Sequence, residues 1–308
     1  MKQTLLTLSI LSSLAIAGCS GGPSSSDFSG RGGVPSGMLT LSITDAAIDD
    51  ATNVFIQFSS IELKPVDGPS IAYDFDSPMQ IDLLSLQGSL SQDFFNNIIV
   101  PSGDYEWLRL AVNTVADMDS YIRLNDGSVH ELIIPSGSET GLKINNGFTV
   151  GAGSSVAMTI DFDLRQSIVV VADNAPYLLK PVLRLVNNAE AGSINGTIDS
   201  ALTLAENCSD GISETGNAVY VFTGFDAELD DVDHQEPNPF TTALMTFNTD
   251  TGFYDYEVGF IPVGDYTVAY TCMADLDDPE TNDLIEFQSA TNVSVTAAVS
   301  LSGADINR

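Results

Sequence analysis

From Gly37 onward the chain alternates. Leu39, Leu41 and Ile43 share one face of an extended segment while Thr40, Ser42 and Thr44 share the other, which is the period of a half-buried strand. Val54, Ile56 and Phe58 repeat the device. The register then slips so that Ile61 and Leu63 carry the apolar face, and a slip of one residue predicts a β-bulge. Further strands are predicted over 98–100, 105–112, 121–124, 129–134, 156–165, 167–171 and 177–186. Asn125-Asp126-Gly127, between two of them, is a hairpin signal. Residues 83–97 leave room for one short helix, which Gly88 weakens.

Residues 187–193, NNAEAGS, read as a linker, and a second run of strands follows over 193–198, 218–222, 243–247, 253–260, 266–272, 284–287 and 293–301. In the last, Val293, Val295, Ala297, Val299 and Leu301 alternate with Ser, Thr and Ala. Helical periodicity of any length is missing elsewhere. The predicted class is therefore all-β, with two tandem antiparallel β-sandwich domains over 37–188 and 189–308. Both carry the same corner, Pro101-Ser-Gly103-Asp-Tyr105 and Pro262-Val-Gly264-Asp-Tyr266. Proline presets φ, glycine admits positive φ, and the tyrosine opens the next strand. The corner reads as architecture.

The N-terminus is organised differently. Lys2 precedes a mostly apolar run over 5–17, shorter than the roughly 20 residues that span a bilayer and suited to a secretory signal peptide over 1–18. Ile16-Ala17-Gly18-Cys19 resembles the lipobox of bacterial lipoproteins. That resemblance implies cleavage before Cys19, a diacylglyceryl group on its sulfur and a fatty acyl chain such as palmitate on the new amino terminus. Residues 19–36 are Gly-, Ser- and Pro-rich, a flexible tether with a reach of roughly 20–25 Å. Ser20 stands where lipoproteins kept at the inner membrane of Gram-negative bacteria commonly carry Asp, so the resemblance implies an outer-membrane destination.

GMLTLSITDA at 37–46, PSGDYEWLRL at 101–110, IPSGSETGLKI at 134–144, and DFDLRQSIV through YLLKPVLRLV over 161–186 resemble a domain of unknown function of bacterial lipoproteins (DUF4382-like). This resemblance implies no activity. GSINGTI at 192–198, TDTGFYDYEVGFIPVGDYTV at 249–268 and the terminal strand resemble the transthyretin-like sandwich of carboxypeptidase regulatory domains. It implies an immunoglobulin/transthyretin-like fold, akin to carbohydrate-binding and protein-adhesion sandwiches. Acidic insertions over 226–236 and 275–286 replace that family's first variable loop.

Charge narrows the function classes. The chain holds 42 acidic and 10 basic residues, a net charge of −32; between Leu185 and Asn307 no Lys or Arg occurs. Such a surface repels nucleic-acid phosphates, and a nucleic-acid partner is excluded. Its acidity suits solubility in a salty medium, with cation binding as the alternative. With Cys19 assigned to lipid, Cys208 and Cys272 form an even pair expected to be a disulfide in an exported chain.

Catalytic signals are sparse. Nucleophilic catalysis needs a base beside Ser or Cys, but His130 sits in a predicted strand and His234 in an acidic loop, neither beside a nucleophile motif. Zinc-ligand spacing is missing. Asp161 and Asp163 alternate on one strand face with Arg165, which predicts a solvated or cross-strand ion-pair ladder before it predicts acid–base work. Arg109, Arg123, Lys143, Lys180 and Arg184 are isolated cations among aliphatics, expected to pair with carboxylates and set register. Asp226, Glu228, Asp230, Asp231 and Asp233, with the second acidic loop over 275–286, offer oxygen ligands of the kind Ca²⁺ takes; the alternative is a solvated charge run. The expected protein is a non-catalytic, lipid-anchored envelope or surface module with a carbohydrate or protein ligand. A carboxylate hydrolase and a calcium-dependent structural protein are the alternatives, and Ca²⁺ is the one candidate cofactor.

Overall fold

The computed structural model describes residues 34–46, 48–113, 118–135, 141–170, 177–205, 208 and 216–307. The signal segment, Cys19 and the tether lie outside the described residues. Among these residues no helix is long and apolar enough to cross a membrane.

The first half of the chain contributes thirteen strands among the described residues: β1 (Ser36–Ala46), β2 (Ala51–Pro65), β3 (Ile71–Asp82), β4 (Gln92–Pro101), β5 (Gly103–Val112), β6 (Tyr121–Leu124), β7 (Val129–Ile133), β8 (Leu142–Ile144), β9 (Phe148–Val150), β10 (Ser155–Asp163), β11 (Ile168–Val170), β12 (Tyr177–Leu179) and β13 (Leu183–Asn187). They form two sheets. One runs β13-β10-β1-β4; the other runs β11-β12-β7-β6-β2-β5-β8, with β3 also on β2 and β9 on β5. Leu39, Leu41 and Ile43 of β1 and Ile56, Phe58, Ile61 and Leu63 of β2 all enter one buried cluster between them. The expected bulge lies between Phe58 and Ser60, where it turns Ile61 back to the core.

The second half contributes β14 (Ala191–Ile198), β15 (Ala218–Thr223), β16 (Thr241–Phe247), β17 (Tyr254–Pro262), β18 (Gly264–Thr271), β19 (Phe287–Val295) and β20 (Ser300–Ser302), in the order β19-β18-β15-β16-β17-β14-β20. Strand β16 makes this ribbon a sandwich. Its first residues, Thr241–Leu244, pair with β15, and Met245–Phe247 pair with β17, so the sheet folds over at β16. Val219, Val221 and Val268 from one layer then meet Ile194, Val258 and Ile261 from the other in a single core.

Most pairings are antiparallel, but β1 with β10, β7 with β12, and β14 with β20 run parallel. Several expected boundaries also change. The strand expected over 177–186 breaks into β12 and β13 at Pro181, which has no N–H for a ladder. The strand expected over 293–301 turns at Ala298, at φ 55, whose amide bonds the Ala191 carbonyl at 2.7 Å. No strand forms over 284–286; β19 starts at Phe287. The expected linker shrinks to a 3-10 turn over Asn188–Glu190, with β14 already begun at Ala191. The short helix is a 3-10 turn over Leu83–Leu86. Strand β3, with Ile71, Tyr73 and Phe75 alternating with Ala72, Asp74 and Asp76, went unpredicted although its period is visible.

The repeated corner is the same device in both halves. Tyr105 Oη donates to the Pro101 carbonyl at 2.6 Å and Tyr266 Oη to the Pro262 carbonyl at 2.9 Å. Each tyrosine thus satisfies a carbonyl that the turn frees. Gly103 uses φ 144, whereas the positive φ near the second corner belongs to Phe260, at 53°.

Candidate functional site

A strand face exposed in an isolated sandwich is buried here. Ser42 and Thr44 of β1, with Thr159, Asp161 and Asp163 of β10, alternate away from the first core yet are almost wholly inaccessible. The second half covers part of this face: Thr241, Thr242, Leu244 and Glu257 line a small cleft with Thr44, Asp45 and Asp161. The backbones meet closely at Gly259, where an added Cβ would lie 2.8 Å from the Gly88 carbonyl carbon and 2.9 Å from Ser89 Cα.

Two arginines tie the halves. Arg184 of β13 stands opposite Asp161 in the ladder. Its guanidinium pairs with Asp161, lies 3.6 Å from Asp163 Oδ2, donates to the Phe240 carbonyl of the second half, and stacks 4.2 Å from the Phe240 ring centre. Arg165 sits on the helical turn α1 (Leu164–Ser167), which Asp163 caps by accepting the Gln166 amide. It pairs with Asp49 and donates to Thr242 Oγ1 at 3.2 Å and the Ala274 carbonyl at 2.8 Å. Burial opposes the Arg165 charge, but the Asp49 carboxylate paired with it holds it protonated. The expected cross-strand ion pair is present as Asp161–Arg184. The expectation of a solvated ladder containing Arg165 is corrected: the face is dry because the second half packs on it, and Arg165 has left the strand for α1.

The cations do not balance the carboxylates. Asp45, 5% exposed, has no hydrogen-bond partner within normal geometry for either oxygen. Burial, then Asp163 and Asp161, pushes its carboxyl well above the ordinary carboxylate range. A carboxyl that holds its proton more tightly when folded contributes stability at low pH that is lost as pH rises from the unfolded value through the folded one. Asp45→Asn is therefore expected to stabilise the protein by about 1–3 kcal/mol at neutral pH and to flatten this loss. Urea unfolding between roughly pH 4 and pH 8 measures it; unchanged pH dependence in the variant would refute the assignment.

On the far side of α1, Arg165 lies 5.7 Å from the Tyr220 ring centre, and Tyr220 Oη donates to Asp277. Here the two acidic loops, over 224–240 and 272–286, come together. They are more than a solvated run. Val232, Ala227, Leu229 and Ala274 pack on Tyr220 and Phe222 on the outer face of β15, which accounts for the unbroken apolar sequence of that strand. Asp277 accepts the Val232 amide at 3.1 Å, and Asp231 accepts the Asp283 amide. Burial pushes Asp277 up to about 6, against hydrogen bonding from Tyr220.

Of the five expected calcium ligands Asp231 alone enters a carboxylate cluster at this junction, with Asp277 and Asp283 from the other loop. Asp226 accepts from Asn292 Nδ2 at 2.7 Å, and Asp233 from Gln235 and Asn282. Asp230 accepts the Asp231 amide and Glu228 is exposed. Cys208 and Cys272 are joined, S–S 1.96 Å, at the edge of the second core. Arg109 pairs with Glu62 and Lys180 with Glu280 at 2.6 Å.

Beside Arg165 the halves leave a cleft of about 230 Å³. Ile122, Leu124, Ile168 and Tyr177 of the first half line it with Asp49, Asp50, Asp277, Asp278 and Pro279. His130, 5.2 Å from the Tyr177 ring centre, has Nε2 3.0 Å from Ser128 Oγ. Asp126 accepts the Ser128 amide at 2.8 Å, and among the described residues no hydrogen bond joins it to the imidazole as a triad would need. His234 is exposed, at φ 61.

Residues 36–181 match a family model described as a domain of unknown function (DUF4382). No curated protein matches the sequence. Among solved structures, the Bacillus anthracis TIE protein is similar at 11% identity and TM-score 0.18, covering 89% of this chain and 34% of its own. The minor pilin GBS52 of Streptococcus agalactiae is similar at 9% identity and TM-score 0.19, covering 87% and 95%. A putative cell adhesion protein from Parabacteroides distasonis is similar at 10% identity and TM-score 0.20, covering 89% and 94%. The chain spans 34% and 26% of the first two structures matched, the TIE protein and a leucine-rich repeat protein from Bacteroides thetaiotaomicron. At these scores the likenesses carry no argument, and the all-β class rests on the sheets described above.

Proposed function

We propose that this chain is a non-catalytic binding module of a bacterial envelope, anchored through lipid on Cys19, with the cleft between its two halves as the surface that takes a carbohydrate. The observation that carries this reading is the lining of the cleft. One aromatic ring, Tyr177, and aliphatic side chains that include Ile122, Leu124 and Ile168 meet carboxylates that include Asp49, Asp50 and Asp278 within about 230 Å³. A sugar ring offers an apolar face to an aromatic side chain and hydroxyl donors to carboxylate acceptors. Arg165 spans the halves beside the cleft, so the lining is held before a ligand arrives. Export is supported by the signal-like N-terminus and by the Cys208–Cys272 disulfide, which persists in oxidising compartments.

Glycan-array binding by the full chain tests the reading, with Tyr177→Ala expected to weaken any glycan found by roughly tenfold or more. Cys19→Ala is expected to move the protein from membrane to soluble fractions. Absence of glycan binding, or binding indifferent to Tyr177, sinks the cleft assignment. Turnover of an ester, peptide or glycoside lost on Asp50→Asn would make the protein a hydrolase instead.

A further inference from the structure

The junction of the two acidic loops carries a second inference, independent of whether the cleft takes a sugar. One carboxylate oxygen from each of Asp231, Asp277 and Asp283 lies within 4.8 Å of the other two. The residues come from different loops: Asp231 precedes β16, while Asp277 and Asp283 lie between β18 and β19. Oxygens within that mutual spacing leave a central point no more than about 2.8 Å from each, close to the roughly 2.3–2.6 Å of calcium–oxygen bonds.

Proximity of acids alone would not make a site, because acidic loops on an acidic protein meet by chance. Asp231 supplies the independent observation. It is fully buried, 0% exposed, and its Oδ1 has no hydrogen-bond partner among the described residues. A buried carboxylate oxygen without a donor loses its hydration and receives nothing in return. Among the described residues neither Asp231 nor Asp283 forms an ion pair: the second half has no Lys or Arg before its last residue, Arg165 is engaged with Asp49, Thr242 and Ala274, and Lys180, which reaches this loop, pairs with Glu280.

The remaining contacts orient the carboxylates without neutralising them. The Asp283 amide holds Asp231; Tyr220 Oη and the Val232 amide hold Asp277; the Asp278 amide and Thr281 Oγ1 hold Asp283 Oδ2 at 2.9 and 3.0 Å. This is how a preorganised carboxylate set is built, with neutral donors behind the ligands. Three carboxylates on two irregular loops suit Ca²⁺, which accepts variable geometry and completes its shell with waters and carbonyls; Mg²⁺ demands a near-ideal octahedron.

We propose that Asp231, Asp277 and Asp283 form a Ca²⁺ site that clamps the acidic loop before β16 to the loop between β18 and β19. Both loops pack on the outer face of β15, and Asp277 also lines the cleft. Calcium would therefore stiffen one wall of that cleft.

The test uses the full chain, stripped with chelator and titrated with CaCl₂ by calorimetry, with melting curves in calcium and in sodium chloride of matched ionic strength. The expected result is one Ca²⁺ per chain and a rise in Tm with calcium that matched sodium does not reproduce. Asp231→Asn and Asp283→Asn should each weaken binding by roughly tenfold or more. Asp226→Asn with Glu228→Gln, which removes two charges from the same loop outside the cluster, should leave it unchanged. Circular dichroism confirms folding; should Asp231→Asn unfold, the more exposed Asp283→Asn decides alone. Equal Tm shifts in both salts, or wild-type affinity in Asp283→Asn, overturns the proposal. Glycan binding that fails while calcium binds would reject only the cleft reading.

Discussion

Arg184→Ala is expected to destabilise the protein by about 3–5 kcal/mol, the scale for removing one partner of a buried ion pair. Arg184 is the counter-charge nearest to Asp161 and Asp163, and Asp45 lies between them on the adjacent strand with no cation of its own. Without Arg184 three carboxylates face one another in a space closed by the second half. The loss also removes the donor to the Phe240 carbonyl and the stacking on the Phe240 ring. Urea unfolding measures the effect. The same substitution in an Asp161→Asn background is expected to cost less, because one of the stranded charges is gone; the difference reports their coupling. A cost below about 1 kcal/mol in the single variant would place the pair among surface bridges of little value and remove it as the bond between the halves.

Replacing both Cys208 and Cys272 with alanine is expected to lower stability by about 4 kcal/mol. The bridge closes a loop with a sequence separation of 64, and the chain-entropy model assigns about that much to such a loop. Cys272 ends the run opened at the Pro262 corner, and both residues pack against the second core, so the loss falls on that sandwich. Reductant should reproduce most of the shift in the wild type and none of it in the variant. Thiol labelling of the unfolded, unreduced chain should leave Cys208 and Cys272 unlabelled; labelling at either would break the argument.

Much of this could be read before any coordinates. Period-two alternation located β1, β2 and β5 because a strand presents successive side chains to opposite faces whatever it later packs against. The bulge near Ser60 showed as a one-residue slip. The Asn125-Asp126-Gly127 turn follows from local chemistry: Gly127 adopts φ 84, and its amide returns to the Leu124 carbonyl at 3.0 Å. The cysteine pair needed only an even count in a chain expected from its N-terminus to be exported. The missed strand β3 had a signal, alternation broken by Pro78, which an edge position tolerates.

What sequence reasoning could not reach depends on which surfaces meet. Polar alternation on β10 reads identically whether solvent or a second sandwich lies above it, so Asp161 and Asp163 looked wet and are dry. Burial turns the same residues from surface charges into an interface that one arginine must neutralise. Asp231 was visible as one acid among six in its loop, but its partner Asp283 lies 52 positions away. Their meeting follows from strand order, which sets β18 beside β15 and folds both loops over one face. Local backbone preference decides where a strand runs; long-range packing decides which of its polar groups lose water. The candidate chemistry of this protein arises from the second of these.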